Sequence, residues 1–334
     1  MTCRLPERAS ELGGQEGAPA LGSFDPWRHR FARLTASATF VLIFVGGLVT
    51  STGSSLSVPD WPLSYGQFFP PMVGGVLYEH GHRMVAGTVA LLTAGLAAWT
   101  YRAEQRGWVR WLAGAALVCV VLQAVLGGVT VLLRLPTAVS VSHAALAQAF
   151  FCLVVALALV TGRSWLSEEF SVVTDARLQG LCAVTTAAVY AQLMLGAIMR
   201  HTGAGLAIPD FPLAYGRLVP PIASFPVGIH FAHRVGALVV AALTVSTAAH
   251  VLRRHRQERG LMRPAMLLGA FVAIQISLGA TIIWTRKAVL PTTSHVAIGA
   301  AILATSLVIT LRSLRARRPI EASGREAPPL RASG

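Results

Sequence analysis

The feature that most limits what this chain can fold into is a series of eight long apolar runs. About twenty apolar residues, each rising 1.5 Å along a helix, cross a hydrocarbon layer of roughly 30 Å. With 54% hydrophobic and only 13% charged residues, the chain is also too apolar for a soluble protein of its 334 residues. We therefore predict an all-α polytopic membrane protein with eight transmembrane helices. The runs lie near residues 34–53, 75–101, 110–133, 137–161, 178–200, 226–251, 264–285 and 290–312.

The net charge of +14 is distributed over alternate loops. Because basic loops stay on the cytoplasmic side, this pattern predicts a multi-pass protein of the cell membrane with both termini in the cytoplasm. The charge is thereby explained by topology within the lipid bilayer, and it indicates no nucleic-acid partner. The clusters are Arg28, Arg30 and Arg33; Arg102, Arg106 and Arg110; Arg253, Arg254, Arg256, Arg259 and Arg263; and Arg312, Arg315, Arg317 and Arg318.

An internal repeat divides the chain into two similar halves. Residues 52–66 (TGSSLSVPDWPLSYG) match residues 202–216 (TGAGLAIPDFPLAYG) at an offset of 150. With one and then two inserted residues, the match extends through the rest of each half. The later matched positions are His82-Arg83 with His233-Arg234, Gln123 with Gln275, Gly127 with Gly279, and Ser142-His143 with Ser294-His295.

Each half contains four predicted spans, so both halves enter the membrane in the same sense. The sequence therefore predicts two tandem, parallel-repeat four-helix bundles. We expect a cytoplasmic tail at 1–33, a first bundle at 34–162, a cytoplasmic linker at 163–177, a second bundle at 178–312 and a disordered cytoplasmic tail at 313–334.

The loops that follow the first span of each half are long and rich in Pro, Asp, Trp and Tyr. An interfacial aromatic belt is one interpretation of these aromatic residues. A belt does not require the repeated Pro-Asp-aromatic-Pro pattern, however. We therefore predict that each loop forms a lid over the outer mouth of its bundle.

Four histidines of the repeat fall at one depth, about six or seven residues into the even-numbered helices and so roughly 9 to 10 Å below their outer ends. Even-numbered helices are diagonal in an up-down-up-down bundle, which places two imidazoles face to face in each half. Facing imidazoles suit the axial positions of a haem iron, whereas zinc requires three or four converging ligands. The predicted iron-binding pairs are His82 with His143, and His233 with His295.

The arginines that follow two of these histidines, Arg83 and Arg234, are candidates for contacts with haem propionates. Ordinary anchoring at the membrane interface is the alternative. Three other histidines, His29, His250 and His255, lie in or beside arginine-rich cytoplasmic segments, and we expect them to be solvated.

The two halves differ at one position that bears on chemistry. Glu79 precedes His82 by three residues, which places both on one helix face, and the matching position in the second half is His230. A carboxylate buried beside a haem is a candidate general base, or a group that stabilises a developing positive charge. The alternative is an acidic residue favoured by the helix dipole near the N-terminus of its helix.

These motifs resemble the haem A synthase family. The resemblance covers about residues 35 to 312 and is carried by Gly46-Gly47-Leu48-Val49, the two Pro-Asp-aromatic-Pro loops, the Glu-x-x-His-Arg of residues 79–83, and the later His-Arg and Ser-His pairs. It implies a haem B cofactor on His233 and His295, substrate haem O near His82 and His143, and an essential Glu79. The implied reaction oxidises a methyl group of haem O to a formyl group by successive hydroxylations with oxygen from water, which gives haem A for terminal oxidases.

The chain departs from the family pattern in two ways. It lacks the outer-loop cysteine pair of many members, and it has Thr50-Ser51-Thr52 where the family often has an arginine. The competing interpretation is a bis-histidine dihaem electron-transfer protein of the quinol-linked cytochrome b type. The sequence does not identify the electron acceptor, and it leaves open both homo-oligomerisation and docking of a haem O synthase (protohaem farnesyltransferase) on the cytoplasmic arginines.

Overall fold

The computed structural model describes residues 24–166 and 175–315. Most of the predicted N-terminal tail, half of the linker and nearly all of the C-terminal tail therefore lie outside the described residues. Within those residues the secondary structure is helical, apart from two isolated β-bridges in the loops. The helices are α1 Pro26–Ser51, α2 Gly75–Ala103, α3 Gly107–Leu132, α4 Thr137–Val160, α5 Arg163–Leu166, α6 Ala176–His201, α7 Phe225–Arg254, α8 Arg259–Trp284 and α9 Val289–Ser313.

All of these helices except the single turn α5 are long and apolar enough to cross a membrane, which gives eight candidate spans in the described part of the chain. This confirms the predicted fold class. We call the end of the molecule that carries residues 52–74 and 202–224 the loop face. The opposite end, where α1 and α6 begin, is the terminal face.

The two largest differences from the hydropathy pattern are at α1 and α8, which begin at residues 26 and 259 where the pattern predicts 34 and 264. The N-terminus of α1 is capped by Asp25, whose carboxylate accepts the Trp27 and Arg28 amides at 3.0 and 3.1 Å. In α8, Pro264 lies inside the helix. Proline has no amide hydrogen, so the carbonyl four residues earlier, that of Gly260, loses its helical partner. Arg312 of α9 donates a hydrogen bond to that carbonyl instead.

The helices pack as two rings of four. In the first ring α1 contacts α2 and α4, and α3 contacts the same two helices, while α6, α7, α8 and α9 repeat this arrangement. Thus α2 lies diagonally opposite α4, and α7 opposite α9. The rings meet where α1 and α4 pack against α6 and α9. This arrangement is compatible with the tandem repeat.

A buried ionic group closes the terminal face of the first ring. Glu104, which follows α2, is 1% exposed and lies 3.2 Å from Arg28 of α1. Arg106 donates to both carboxylate oxygens of Glu104, at 2.9 and 2.8 Å. Burial by itself raises the pKa of Glu104, but the Arg106 hydrogen bonds and the Arg28 charge outweigh burial and hold the pKa below its usual value. The carboxylate therefore stays ionised and fastens α1 to the turn between α2 and α3.

Candidate functional site

The two repeated loops have the same conformation. The carboxylate of Asp60 accepts the Tyr65 and Gly66 amides at 2.7 and 2.8 Å. Asp210 makes the same two bonds, with the same lengths, to the matching residues of the second loop. These amide donors hold the pKa of both carboxyl groups below the usual value. Each loop is thereby closed around an ionised aspartate.

An arginine from the following helix holds each loop in place. Arg83 of α2 donates to the carbonyls of Asp60 and Leu63, both at 2.7 Å. In the second half, Arg234 of α7 donates to the carbonyls of Asp210 and Leu213 at 2.7 and 2.8 Å. Both guanidinium groups therefore form hydrogen bonds with the loop backbone in this structure. Their contact with haem propionates stays a prediction.

The position that distinguishes the two halves has a common structural role. Glu79 is 4% exposed, and its carboxylate accepts the Val58 amide at 2.9 Å and an Arg83 nitrogen at 2.8 Å. The matching His230 faces the Ile208 amide at 3.2 Å and Arg234 Nε at 3.3 Å. A neutral imidazole has one acceptor nitrogen, whereas a carboxylate accepts at both oxygens. Only Glu79 can therefore accept both donors at once, and only it adds a buried negative charge.

Each of the four predicted iron ligands rests against a glycine on a neighbouring helix. A Cβ atom added to these glycines would lie 3.0 to 3.5 Å from the histidine Cε1 atom. The absence of a side chain therefore lets each ring lie directly on the helix backbone. The pairs are His82 with Gly46, His143 with Gly127, His233 with Gly196, and His295 with Gly279.

Several ring nitrogens of these histidines have no hydrogen-bond partner among the described residues. The Nδ1 atoms of His82, His143 and His295 are buried and unpaired. Buried polar atoms without partners are costly, so their presence calls for an explanation. In the second ring, the centroids of His233 and His295 are 6.5 Å apart and their planes are inclined by 56°. This pair meets across the ring of helices, as the sequence predicts.

Glutamines of neighbouring helices fix the backbone at three of these histidines. Gln123 and Gln275 each donate to the carbonyl of a predicted iron ligand, His143 and His295 respectively, at 3.0 Å. Gln192 donates to the carbonyl of His233 at 2.7 Å and also lies 3.0 Å from its Nδ1. Sequence reasoning missed Gln192. A comparison of the two halves could have identified it, because the repeat places an apolar residue, Leu42, at the matching position of the first half.

A second missed residue joins the two rings. Arg200 of α6 reaches α1, where it donates to the Gly47 carbonyl and the Ser51 hydroxyl, both at 3.0 Å. The repeat aligns Arg200 with Thr50, in the short segment where the family often carries an arginine. The structure thus has a guanidinium at this interface, but the second half supplies it.

Aromatic residues of the loops cover the third helix of each ring. A Cβ atom at Gly128 of α3 would lie 2.6 Å from the Trp61 ring, so the indole packs directly on the helix backbone. Phe211 packs edge-on against Trp284 of α8, with ring centroids 6.2 Å apart. These contacts agree with the predicted lids at the loop face.

The expectation that His29, His250 and His255 are solvated is wrong for His250 and His255. The side chains of His250 and His255 are 15% and 17% exposed, and both contact Asp175. His29 is also partly covered, with its ring 3.3 Å from the Thr161 hydroxyl. The partner Asp175 is 75 residues from His250 in the chain, so the local arginine-rich composition gave no sign of this contact.

Fold and site together define an all-helical membrane protein of two similar rings of helices. An arginine holds a loop in place on each ring, and a histidine pair meets across the second ring. Comparison with known protein families then identifies the family to which this membrane protein belongs. The family COX15-CtaA, described as cytochrome oxidase assembly protein, matches residues 73–307. The chain belongs to this family, which confirms the assignment made from its motifs.

Curated relatives carry one shared name. The haem A synthase of Symbiobacterium thermophilum is 34% identical over 261 residues, which cover 75% of this chain and 84% of that protein. The haem A synthase of Geobacillus kaustophilus is 28% identical over 307 residues, 89% of this chain and 95% of that protein. That of Halalkalibacterium halodurans is 27% identical over 285 residues, 84% and 95% of the two chains.

Proposed function

We propose that this chain is a haem A synthase, an oxidoreductase of the cell membrane that converts a methyl group of haem O into the formyl group of haem A. The shared name of its relatives supports the reaction. One observation carries the assignment of the halves: the repeat gives each half two matched histidines, but only in the first half is the residue three positions before the first of them a buried carboxylate, Glu79. A protein that only transfers electrons has no need of that carboxylate in one of two otherwise similar pockets.

The reaction balances with water as the source of oxygen. Each hydroxylation adds one oxygen atom from water and releases two protons and two electrons. The second hydroxylation gives a carbon with two hydroxyl groups, which loses water to form the formyl group. The two steps therefore deliver four electrons to a membrane electron acceptor and four protons to the surroundings.

In the first bundle, His82 and His143 are the proposed ligands of the substrate iron. Glu79 is the proposed general base, which takes a proton from the attacking water or stabilises positive charge that develops beside the methyl group. Its hydrogen bonds from the Val58 amide and from Arg83 fix the position of the carboxylate. The loop that Arg83 holds covers this mouth and limits the access of bulk water.

In the second bundle, His233 and His295 are the proposed axial ligands of a haem B cofactor. The two rings lie 6.5 Å apart between centroids, so they border one gap between the helices in which they would hold the haem iron. When bound, the haem supplies one-electron transfer. Gln192 orients His233, and Gln275 orients the backbone of His295.

The test is to purify the parent and Glu79→His from a host that supplies haem O, and to separate the extracted haems B, O and A by chromatography. This variant places the second-half residue in the first half, so the loop keeps a polar partner. We expect haem A or its hydroxylated intermediate in the parent, and haem O and haem B without haem A in the variant. His230→Gln is the matched control and should retain haem A. A parent that carries haem B alone in this host would contradict the proposal and favour a dihaem electron-transfer protein.

A further inference from the structure

A second group of potential metal ligands lies at the terminal face, near the opposite end of α7 from the proposed ligand His233. His250 occupies the last turns of α7, His255 directly follows that helix, and Asp175 directly precedes α6. The Nε2 atoms of the two imidazoles lie 2.7 and 2.9 Å from the same oxygen, Asp175 Oδ2. The ligand atoms of all three residues are within 4.8 Å of one another.

We propose that Asp175, His250 and His255 form a binding site for a divalent transition-metal ion, of which Zn²⁺ is the best match. Two imidazole nitrogens and one carboxylate oxygen are the donor set of open zinc sites, which leave a further position for water. Imidazole ligands select transition metals over Mg²⁺ and Ca²⁺, which prefer oxygen. The side chains are 15% to 24% exposed, so an ion and its water have a route from the solvent.

The ligands are held in position before an ion binds. The second carboxylate oxygen of Asp175, Oδ1, accepts the Leu178 amide at 2.9 Å and thereby caps α6. This bond fixes the carboxylate and leaves Oδ2 directed at the two imidazoles. A partner that orients a ligand from behind is a regular feature of metal sites. The imidazole rings are inclined by 31° with centroids 6.1 Å apart, and both have Nε2 beside the same carboxylate oxygen.

A bound ion would be coordinated by the same three atoms, the two Nε2 atoms and Asp175 Oδ2, that are joined by hydrogen bonds in the metal-free cluster. Without metal, each imidazole donates its Nε2 hydrogen to Oδ2. With metal–ligand bonds of about 2.0–2.1 Å and near-tetrahedral angles, ligand atoms stand about 3.3 Å apart. The present distances of 2.7 and 2.9 Å must therefore increase by about half an ångström. Rotation of the two imidazoles is enough for a change of this size.

The charge around the cluster has opposing effects on a cation. His255 is at the C-terminal end of α7, where the helix dipole favours positive charge. The N-terminus of α6 and the neighbouring Arg253, Arg254 and Arg256 disfavour it. We therefore expect a site of moderate affinity that favours hydroxide or another anion as the additional ligand. Bound metal joins the start of α6 to the end of α7 and so braces the second ring at its terminal face.

The experiment uses the haem-loaded, full-length protein, purified without a histidine tag and treated with EDTA. Equilibrium dialysis against ZnCl₂, with metal content measured by mass spectrometry, should give one Zn²⁺ per chain. His250→Ala and Asp175→Asn should bind at least tenfold more weakly. Asparagine is also a good helix cap, so Asp175→Asn retains the start of α6. His29→Ala, which removes a histidine at the same face outside the cluster, is the matched control and should bind like the parent.

Unchanged haem absorption spectra establish that each variant is folded. If a helix variant loses its haem, His255→Gln provides the same test from a position outside the helix. Equal binding by the parent and these variants indicates adventitious binding at other residues and overturns the proposal. A parent that binds no Zn²⁺ in the micromolar range also overturns it, and the cluster is then a hydrogen-bonded clasp without metal. Neither outcome bears on haem A formation, so the proposed function is tested separately.

Discussion

Replacement of Gly196 by alanine should disturb the second histidine pair without removing any polar contact. The added Cβ atom would lie 3.0 Å from His233 Cε1, about half an ångström inside an ordinary carbon–carbon contact of about 3.5 Å. Because the opposite side of the glycine is its own helix, the imidazole has to move. Its neighbour across the ring of helices is His295, only 6.5 Å away between centroids, so the movement alters the gap in which we place the cofactor.

Two opposing terms set the expected change in stability. Overpacking of a well-filled site lowers the free energy of unfolding by about 1–3 kcal/mol. Replacement of a glycine by alanine in a helix interior raises it by about 0.5–1 kcal/mol. The net destabilisation by Gly196→Ala is therefore about 1–2 kcal/mol. Gly180 lies in the same helix, and a Cβ atom there meets nothing within 4 Å. Gly180→Ala should therefore show only the stabilising term.

The assay compares haem B content, the absorption spectrum and the thermal unfolding temperature of the two variants with those of the parent, in one detergent. We expect Gly196→Ala to lose haem B or the low-spin spectrum of two axial histidines, and to unfold at a lower temperature. Gly180→Ala should keep the spectrum and unfold at the same or a higher temperature. If Gly196→Ala behaves like Gly180→Ala, the close contact with His233 does not constrain the site, and the reasoning is refuted.

Three further predictions concern the surroundings of the two pairs. Gln192→Leu, which installs the first-half residue, removes the donor to His233 and should shift the reduction potential of the haem that we propose for the second bundle, measured by redox titration. Gly128→Ala places a Cβ atom 2.6 Å from the Trp61 ring, so it should lift the lid and increase protease cleavage in residues 53–74. The amide donors hold the pKa of Asp60 below normal, so this carboxylate stabilises its loop above about pH 4 and loses that effect as the pH falls through the lowered value. The protection factors of the loop amides, which compare the observed with the intrinsic exchange rate at each pH, should therefore fall on acidification in the parent, and Asp60→Asn should show lower protection than the parent at pH 7.

Matched controls exist for each of these changes. Gln275→Leu alters a glutamine that donates its hydrogen bond to a histidine carbonyl rather than lying against an imidazole nitrogen, so its effect on the potential should be smaller than that of Gln192→Leu. Gly114→Ala adds a Cβ atom to α3 where nothing lies within 4 Å, and protease cleavage should stay at the parent level. Asp210→Asn should accelerate exchange in residues 203–223 but not in the first loop. An equal response of both loops to either aspartate variant contradicts the local origin of the effect.

The sequence by itself determined the membrane fold, the repeat and the pairs of candidate iron ligands. A span of about twenty apolar residues is fixed by the thickness of the bilayer, because unpaired backbone groups are not tolerated in hydrocarbon. That signal is local and needs no knowledge of the partner helix. The repeat then supplied the missing long-range information, since two copies of one pattern place equivalent histidines at equivalent depths. The facing of His233 and His295 was predictable for this reason.

Only the tertiary structure decided which partner each polar side chain has. Arg83 and Glu79 were interpreted from their place on α2, yet both contact a loop about twenty residues away in the chain. Gln192, Arg200 and Asp175 were missed because their partners are 41, 153 and 75 residues distant. Apolar burial is non-directional and can be read from composition, but a hydrogen bond needs one donor and one acceptor within about 3 Å. The packing of whole helices determines which donor and acceptor come within this distance, and no local pattern in the sequence predicts it.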